Sequence, residues 1–128
     1  MYQDKIVLCG ASAYEQKYYF NQDFSSLPEA VKQELQIMCV LYTEDIGGIL
    51  TLEFDEDGNL QFKTEALDAD AMYDEIGSVL KIKQLQEEKK ELLESLEMYY
   101  RVFFLGEIPE DADEKSTDKS VDPVDNEG

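Results

Sequence analysis

ILTLEFDEDGNLQFKTEA, residues 49–66, is the stretch that decides the fold. Leu50, Leu52 and Phe54 alternate with Thr51, Glu53 and Asp55. Past Asp55-Glu56-Asp57-Gly58-Asn59, Leu60 and Phe62 alternate with Gln61, Lys63 and Glu65. Successive strand side chains point to opposite faces, so this pattern predicts a β-hairpin with one apolar face to bury. The Asp57-Gly58 pair supplies the turn between the strands. A face of that kind needs a cover, and the sequence on both sides provides one.

Upstream, Ser26-Leu27-Pro28-Glu29 predicts a helix start. Ser26 would cap it, Glu29 would reach back, and proline is tolerated in the first turn. Leu27, Val31, Leu35, Met38 and Tyr42 then share one helical face, and Gly47-Gly48 ends the element. Ahead of this helix, KIVLCGAS (5–12) reads as a buried strand. AYEQKYYF (13–20) admits two readings: its alternation suits a strand, whereas Ser12 and Glu15 stand at capping-box spacing for a short helix. The strand is preferred, because Tyr and Phe suit a pleated surface.

Downstream, an Asp-rich loop leads into a helical pattern over about 71–105, with Gly77-Ser78 as its kink or its true start. Over 78–105 such a helix spans roughly 42 Å, longer than the roughly 33 Å diameter of a globule of this size. Ile82, Leu85, Lys89, Leu92, Leu96, Tyr99 and Phe103 follow a heptad seam interrupted by Lys89. The seam admits a homodimer through the 78–105 helix. The preferred reading is intramolecular, with the polar stretch 86–91 bridging two packed ends.

These elements predict an α+β fold in ββαββα order, two β-hairpins and two helices, with the helices on one face of an antiparallel sheet. Residues 1–106 would form one globular domain. Residues 107–128 hold nine Asp and Glu against two Lys and almost no large apolar side chain. They predict a disordered acidic tail, unable to bury enough surface to offset ordering entropy.

The whole chain of 128 residues carries a formal charge of -19. Direct nucleic-acid binding calls for clustered Lys and Arg, and the chain has one arginine, Arg101. An anionic membrane would repel it, and no stretch reaches the length of a span. The N-terminus lacks the basic region of a signal peptide. Cys9 and Cys39, each in an apolar run, read as buried thiols in a reducing compartment. A cytoplasmic location is expected.

Histidine is absent. That removes Ser-His-Asp and Cys-His activation, His-based zinc sites and the usual general base near neutral pH. Gly10-Ala11-Ser12 is half of a nucleophile elbow, but Tyr14 stands where the second glycine belongs. Asp55 to Asn59 fails the calcium-loop register, with Leu60 at the sixth-position glycine and Ala66 at the twelfth-position glutamate, and reads as a tight turn. Glu44-Asp45 is the most site-like carboxylate pair, and nothing local separates it from a solvated helix end. No catalytic residue, metal ligand or cofactor is therefore expected.

Aromatic side chains crowd both ends of the domain. Tyr18 and Tyr19, like Tyr99 and Tyr100, are adjacent and cannot both face the core. With Phe104 they form the candidate interaction surface, since Tyr and Phe are enriched at protein contacts. The expected function is a non-enzymatic protein-binding or regulatory module, its acidity steering it to a basic protein partner. An inhibitor imitating nucleic-acid charge is the alternative, and a carboxylate or divalent-metal enzyme is third.

IMCVLYTEDIGGILTLEFDEDGNL (37–60) and DEIGSVLKIKQLQEEKKELLESLEMYYRVFFLGE (74–107) resemble a family of short, uncharacterised acidic proteins from clostridial-type bacteria, a domain of unknown function. The resemblance spans most of residues 1–107. It implies a bacterial cytosolic protein and carries no activity.

Overall fold

A computed structural model of the chain describes residues 5–107. The hairpin forms as its alternation requires. β3 (Ile49–Phe54) pairs antiparallel with β4 (Leu60–Glu65), Phe54 opposite Leu60 and Leu52 opposite Phe62. Leu50, Leu52 and Phe54 are buried to completion. In the turn, Asp55 Oδ1 accepts from the backbone N–H of Asp57 and of Asn59, both at 2.9 Å, and Gly58 takes φ 88°, a value that favours glycine. Asp55 Oδ1 thus serves the turn's backbone, while Oδ2 accepts from the side-chain amides of Asn59 and Gln61.

The first hairpin, β1 (Ile6–Ser12) with β2 (Lys17–Phe20), resolves the ambiguity at 13–20 in favour of a strand, preceded by a turn. The capping-box contact does form, Glu15 N–H donating to Ser12 Oγ at 3.2 Å, but it closes that turn rather than opening a helix. β1 also pairs antiparallel with β3, which gives one four-stranded sheet of order β2-β1-β3-β4. Cys9, Ala11, Leu50, Leu52 and Phe54 join a single core cluster with residues of all the helices.

α1 (Glu29–Asp45) buries Leu35, Met38, Cys39 and Tyr42, the face its spacing predicts, and Gly47 and Gly48 follow it with positive φ. Its start differs from expectation. Pro28 is the N-cap and no side chain caps the helix; Ser26 Oγ instead meets the Tyr99 hydroxyl at 2.5 Å. A tertiary hydroxyl partner has outcompeted the local cap. Between β2 and α1, a short 3₁₀ turn (Gln22–Phe24), capped by Asn21 accepting from Asp23 N–H, drives Phe24 into the core.

The long C-terminal helix is two helices, so the order is ββαββαα. α2 (Glu75–Glu88) and α3 (Lys90–Phe103) part at Lys89, whose φ of -106° and ψ of 22° leave the helical region. α2 begins at Glu75 rather than near 71, because Asp74 Oδ1 accepts from Gly77 N–H at 2.8 Å and sets the cap there. Gly77-Ser78 lies inside α2, neither its start nor a break in it. Leu85 on α2 and Leu96 and Tyr100 on α3 all reach the same core. Lys89 turns its ammonium back to Glu34 on α1 at 2.9 Å. The tail expected over 107–128 lies, beyond Glu107, outside the described residues.

Candidate interaction surface

The five predicted aromatic side chains do not form one surface. Tyr99, Tyr100 and Phe104 come together at the end of α3, around Phe24 and Phe54. Tyr100 stacks on Phe54 at 4.2 Å between centroids and 5° between planes, and Phe104 stacks on Phe24 at 4.7 Å. Tyr100 is only 5% exposed, a core residue and not a contact residue. Tyr99 is half-buried, its hydroxyl held by Ser26. Phe104 is partly open, and its neighbour Phe103, 71% exposed, is the most accessible ring of the group.

Tyr18 and Tyr19 lie at the other side of the sheet and part company there. Tyr18 faces the core opposite Ala11, its hydroxyl buried beside the thiols of Cys9 and Cys39 without a hydrogen-bond partner of ordinary geometry. Burial pushes its hydroxyl well above the usual tyrosine range, the nearby thiols adding to the effect. Tyr19 faces outward opposite Gly10, over a shallow depression that Val7, Ile49 and Thr51 also line. A Cβ on Gly10 would come within 2.8 Å of the Leu50 carbonyl oxygen, so the floor of that depression is bare backbone.

Glu44 and Asp45 are likewise separated by their roles. Asp45 pairs with Lys81 of α2 at 3.3 Å, while Glu44 lines a cleft of about 590 Å³ with Tyr18, Gln36 and Val40. Among the described residues no three His, Cys, Asp or Glu side chains come together as a metal site, and no helix is long and apolar enough to cross a membrane.

The surface that sequence reasoning missed is the outer side of α2. Ile76 is 76% exposed and Leu80, one turn on, 61%; Val79 is more than half exposed, and Met72, just before the helix, is 90% exposed. The opposite side of the same helix is where Ser78 and Leu85 are buried. Ser78 is fixed by hydroxyls on two elements, Tyr42 of α1 at 2.6 Å and Tyr73 at 3.0 Å. α2 is thus apolar on both sides, and among the described residues only one has a cover. Ile37 and Leu41 of α1 are also more than half exposed. Leu41 lies one turn before Asp45, and Leu80 adjoins the Lys81 that Asp45 holds. Asp74 and Glu75 stand at the N-terminal end of α2, and Asp68 and Asp70 precede it in the chain. Asp70 is held in place by the Tyr14 hydroxyl, which donates to its Oδ2 at 2.6 Å.

Residues 5–108 match the model of a family of unknown function, DUF6145. The chain belongs to DUF6145. The match takes in the whole described DUF6145 domain, from β1 through the end of α3. No curated protein and no solved structure matches the chain.

Proposed function

We propose that this DUF6145 chain is a non-enzymatic protein-binding module that docks through the outer side of α2, on a partner presenting an apolar anchor in a basic surround. The observation that carries the reading is Ile76 and Leu80, one turn apart on a helix whose other side is packed, with Met72 exposed just ahead of them. Isolated exposed apolar residues are ordinary, but grouped ones mark contact sites. The acids at 68–75 put negative charge at and before the start of the same helix, and the domain carries a large negative excess. Both favour encounter with a cationic partner. A charge mimic of nucleic acid has no use for exposed aliphatic side chains, which sets the binding module ahead of that alternative.

The test compares the full chain with an Ile76→Glu, Leu80→Glu double variant. Both positions are exposed, so circular dichroism and thermal midpoint should stay close to the native values. Each protein is immobilised and challenged with bacterial lysate at low and at high salt. A partner that is then purified should bind the native chain at both salt levels, lose the variant, and slow amide exchange across α2. Equal binding to both proteins would sink the reading. So would a native dimer that the double variant dissolves, because the face would then belong to a second copy.

A further inference from the structure

The two cysteines are placed in different elements and meet in the core. Cys9 on β1 and Cys39 on α1, 30 positions apart, are both fully buried, with their sulfurs 3.9 Å from one another. Nothing stands between them. An S–S bond needs about 2.05 Å, so the two sulfurs, already in contact, have to close by roughly 2 Å. Their cover is thin on one side. Ala11, on Cys9's own strand face, its cross-strand partner Tyr18, and Val40, next in the chain after Cys39, all line the cleft between β2 and α1. Both thiols are fully buried, and Tyr18, whose hydroxyl lies beside them, separates them from an opening of about 590 Å³, large enough for a small oxidant. The unpartnered Tyr18 hydroxyl marks the same spot as loosely satisfied.

We infer that Cys9 and Cys39 are a closable dithiol, which hydrogen peroxide converts to a disulfide tying β1 to α1 without loss of the fold. One sulfur gives up its proton and attacks a peroxide oxygen, breaking the O–O bond and leaving a sulfenic acid and water. The other sulfur then attacks the sulfenic sulfur, and the oxygen leaves as a second water. Two thiols are oxidised by two electrons in all, and one peroxide is reduced. The hydrogen bond to Cys9 and then burial hold the Cys39 thiol well above its ordinary range, so the thiolate is scarce and closure is slow beside that of an exposed thiol. Once formed, the link closes a ring of roughly thirty residues in the unfolded chain. Chain-entropy arguments then give a rise in thermal midpoint on the order of 10–20 °C.

The experiment treats the folded, full-length chain with excess hydrogen peroxide and then quenches it. The expected result is an intact mass lower by two hydrogens, no thiol titratable in denaturant, a Cys9–Cys39 linked peptide after proteolysis, and a raised thermal midpoint that a reductant reverses. Cys39→Ala should show no such rise. If that variant fails to fold, the linked peptide from the native chain decides by itself. Two titratable thiols after treatment, oxygen added without a cross-link, or a link formed only in denaturant would each overturn the proposal.

Discussion

Arg101 on α3 donates from Nη2 to Asn59 Oδ1 at 2.7 Å, fastening the last helix to the turn of the second hairpin. Its Nε donates to the Asp57 carbonyl at 3.2 Å, and its stem lies over Gly58, where a Cβ would come within 2.7 Å of Arg101 Cγ. Arg101→Ala removes both hydrogen bonds and the cover of the turn. The expected loss is about 1 kcal/mol, read as a lower urea midpoint with the denaturant slope unchanged. Gly58→Ala should cost more, since it meets both the arginine and a φ that side chains rarely adopt.

Phe24 is the centre of the aromatic end. It is fully buried and packs on Phe54, Tyr99, Tyr100 and Phe104. Phe24→Ala opens a hole among rings that cannot collapse into it, at an expected cost of about 3–5 kcal/mol. Chemical denaturation followed by near-ultraviolet circular dichroism would measure it. A loss below about 1 kcal/mol would mean that the rings close over the gap.

The hairpin turn confers an acid dependence. Hydrogen bonds to Asp55, the backbone N–H of Asn59 foremost, hold its carboxyl below the usual aspartate range. The unfolded chain then takes up this proton before the folded one does. The contribution is present above about pH 4 and fades as the pH falls further. Asp55→Ala should lower the thermal midpoint at neutral pH, and the gap from the native chain should narrow on acidification. A constant gap down to the acid transition would show that the charge is not what the turn uses.

How much of this was legible depends on how local the cause is. The second hairpin could be read because its buried face, its period and its turn lie within eighteen consecutive residues. Phe24 could not, standing in the polar run 21–26; the one signal was Asn21, a residue type suited to capping a short turn. The break at Lys89 was legible only in part: Lys89 interrupts the apolar seam, but Lys, Glu and Gln are good helix formers, so the residue types mark no helix end there. α2 shows the same limit in another form. Ile76, Val79 and Leu80 compete with Ile82 and Leu85 for burial, and sequence spacing selected the heptad seam without showing that the other side remains bare. Tyr18 and Tyr19 are adjacent in sequence and lie on opposite faces of the sheet, so the alternation that predicted the strand also ruled out a joint surface.

At alkaline pH the buried hydroxyls set the limit. Tyr42 is fully buried on α1, and its hydroxyl meets Ser78 Oγ at 2.6 Å and the Tyr73 hydroxyl at 3.2 Å. Burial raises Tyr42 above its ordinary value, and Tyr18 is raised for the same reason. The folded state thus refuses an ionisation that the unfolded chain accepts near pH 10, so stability is full below that and drops above it. Tyr42→Phe keeps the ring but leaves the buried Ser78 with one hydroxyl partner fewer. It should cost about 1–2 kcal/mol at neutral pH and make the alkaline decline shallower. Urea midpoints of the native and variant chains, measured from neutral pH to the alkaline limit, separate the two effects. A variant that loses stability at neutral pH yet falls as steeply with base would assign the alkaline transition to Tyr18 and Cys39 instead.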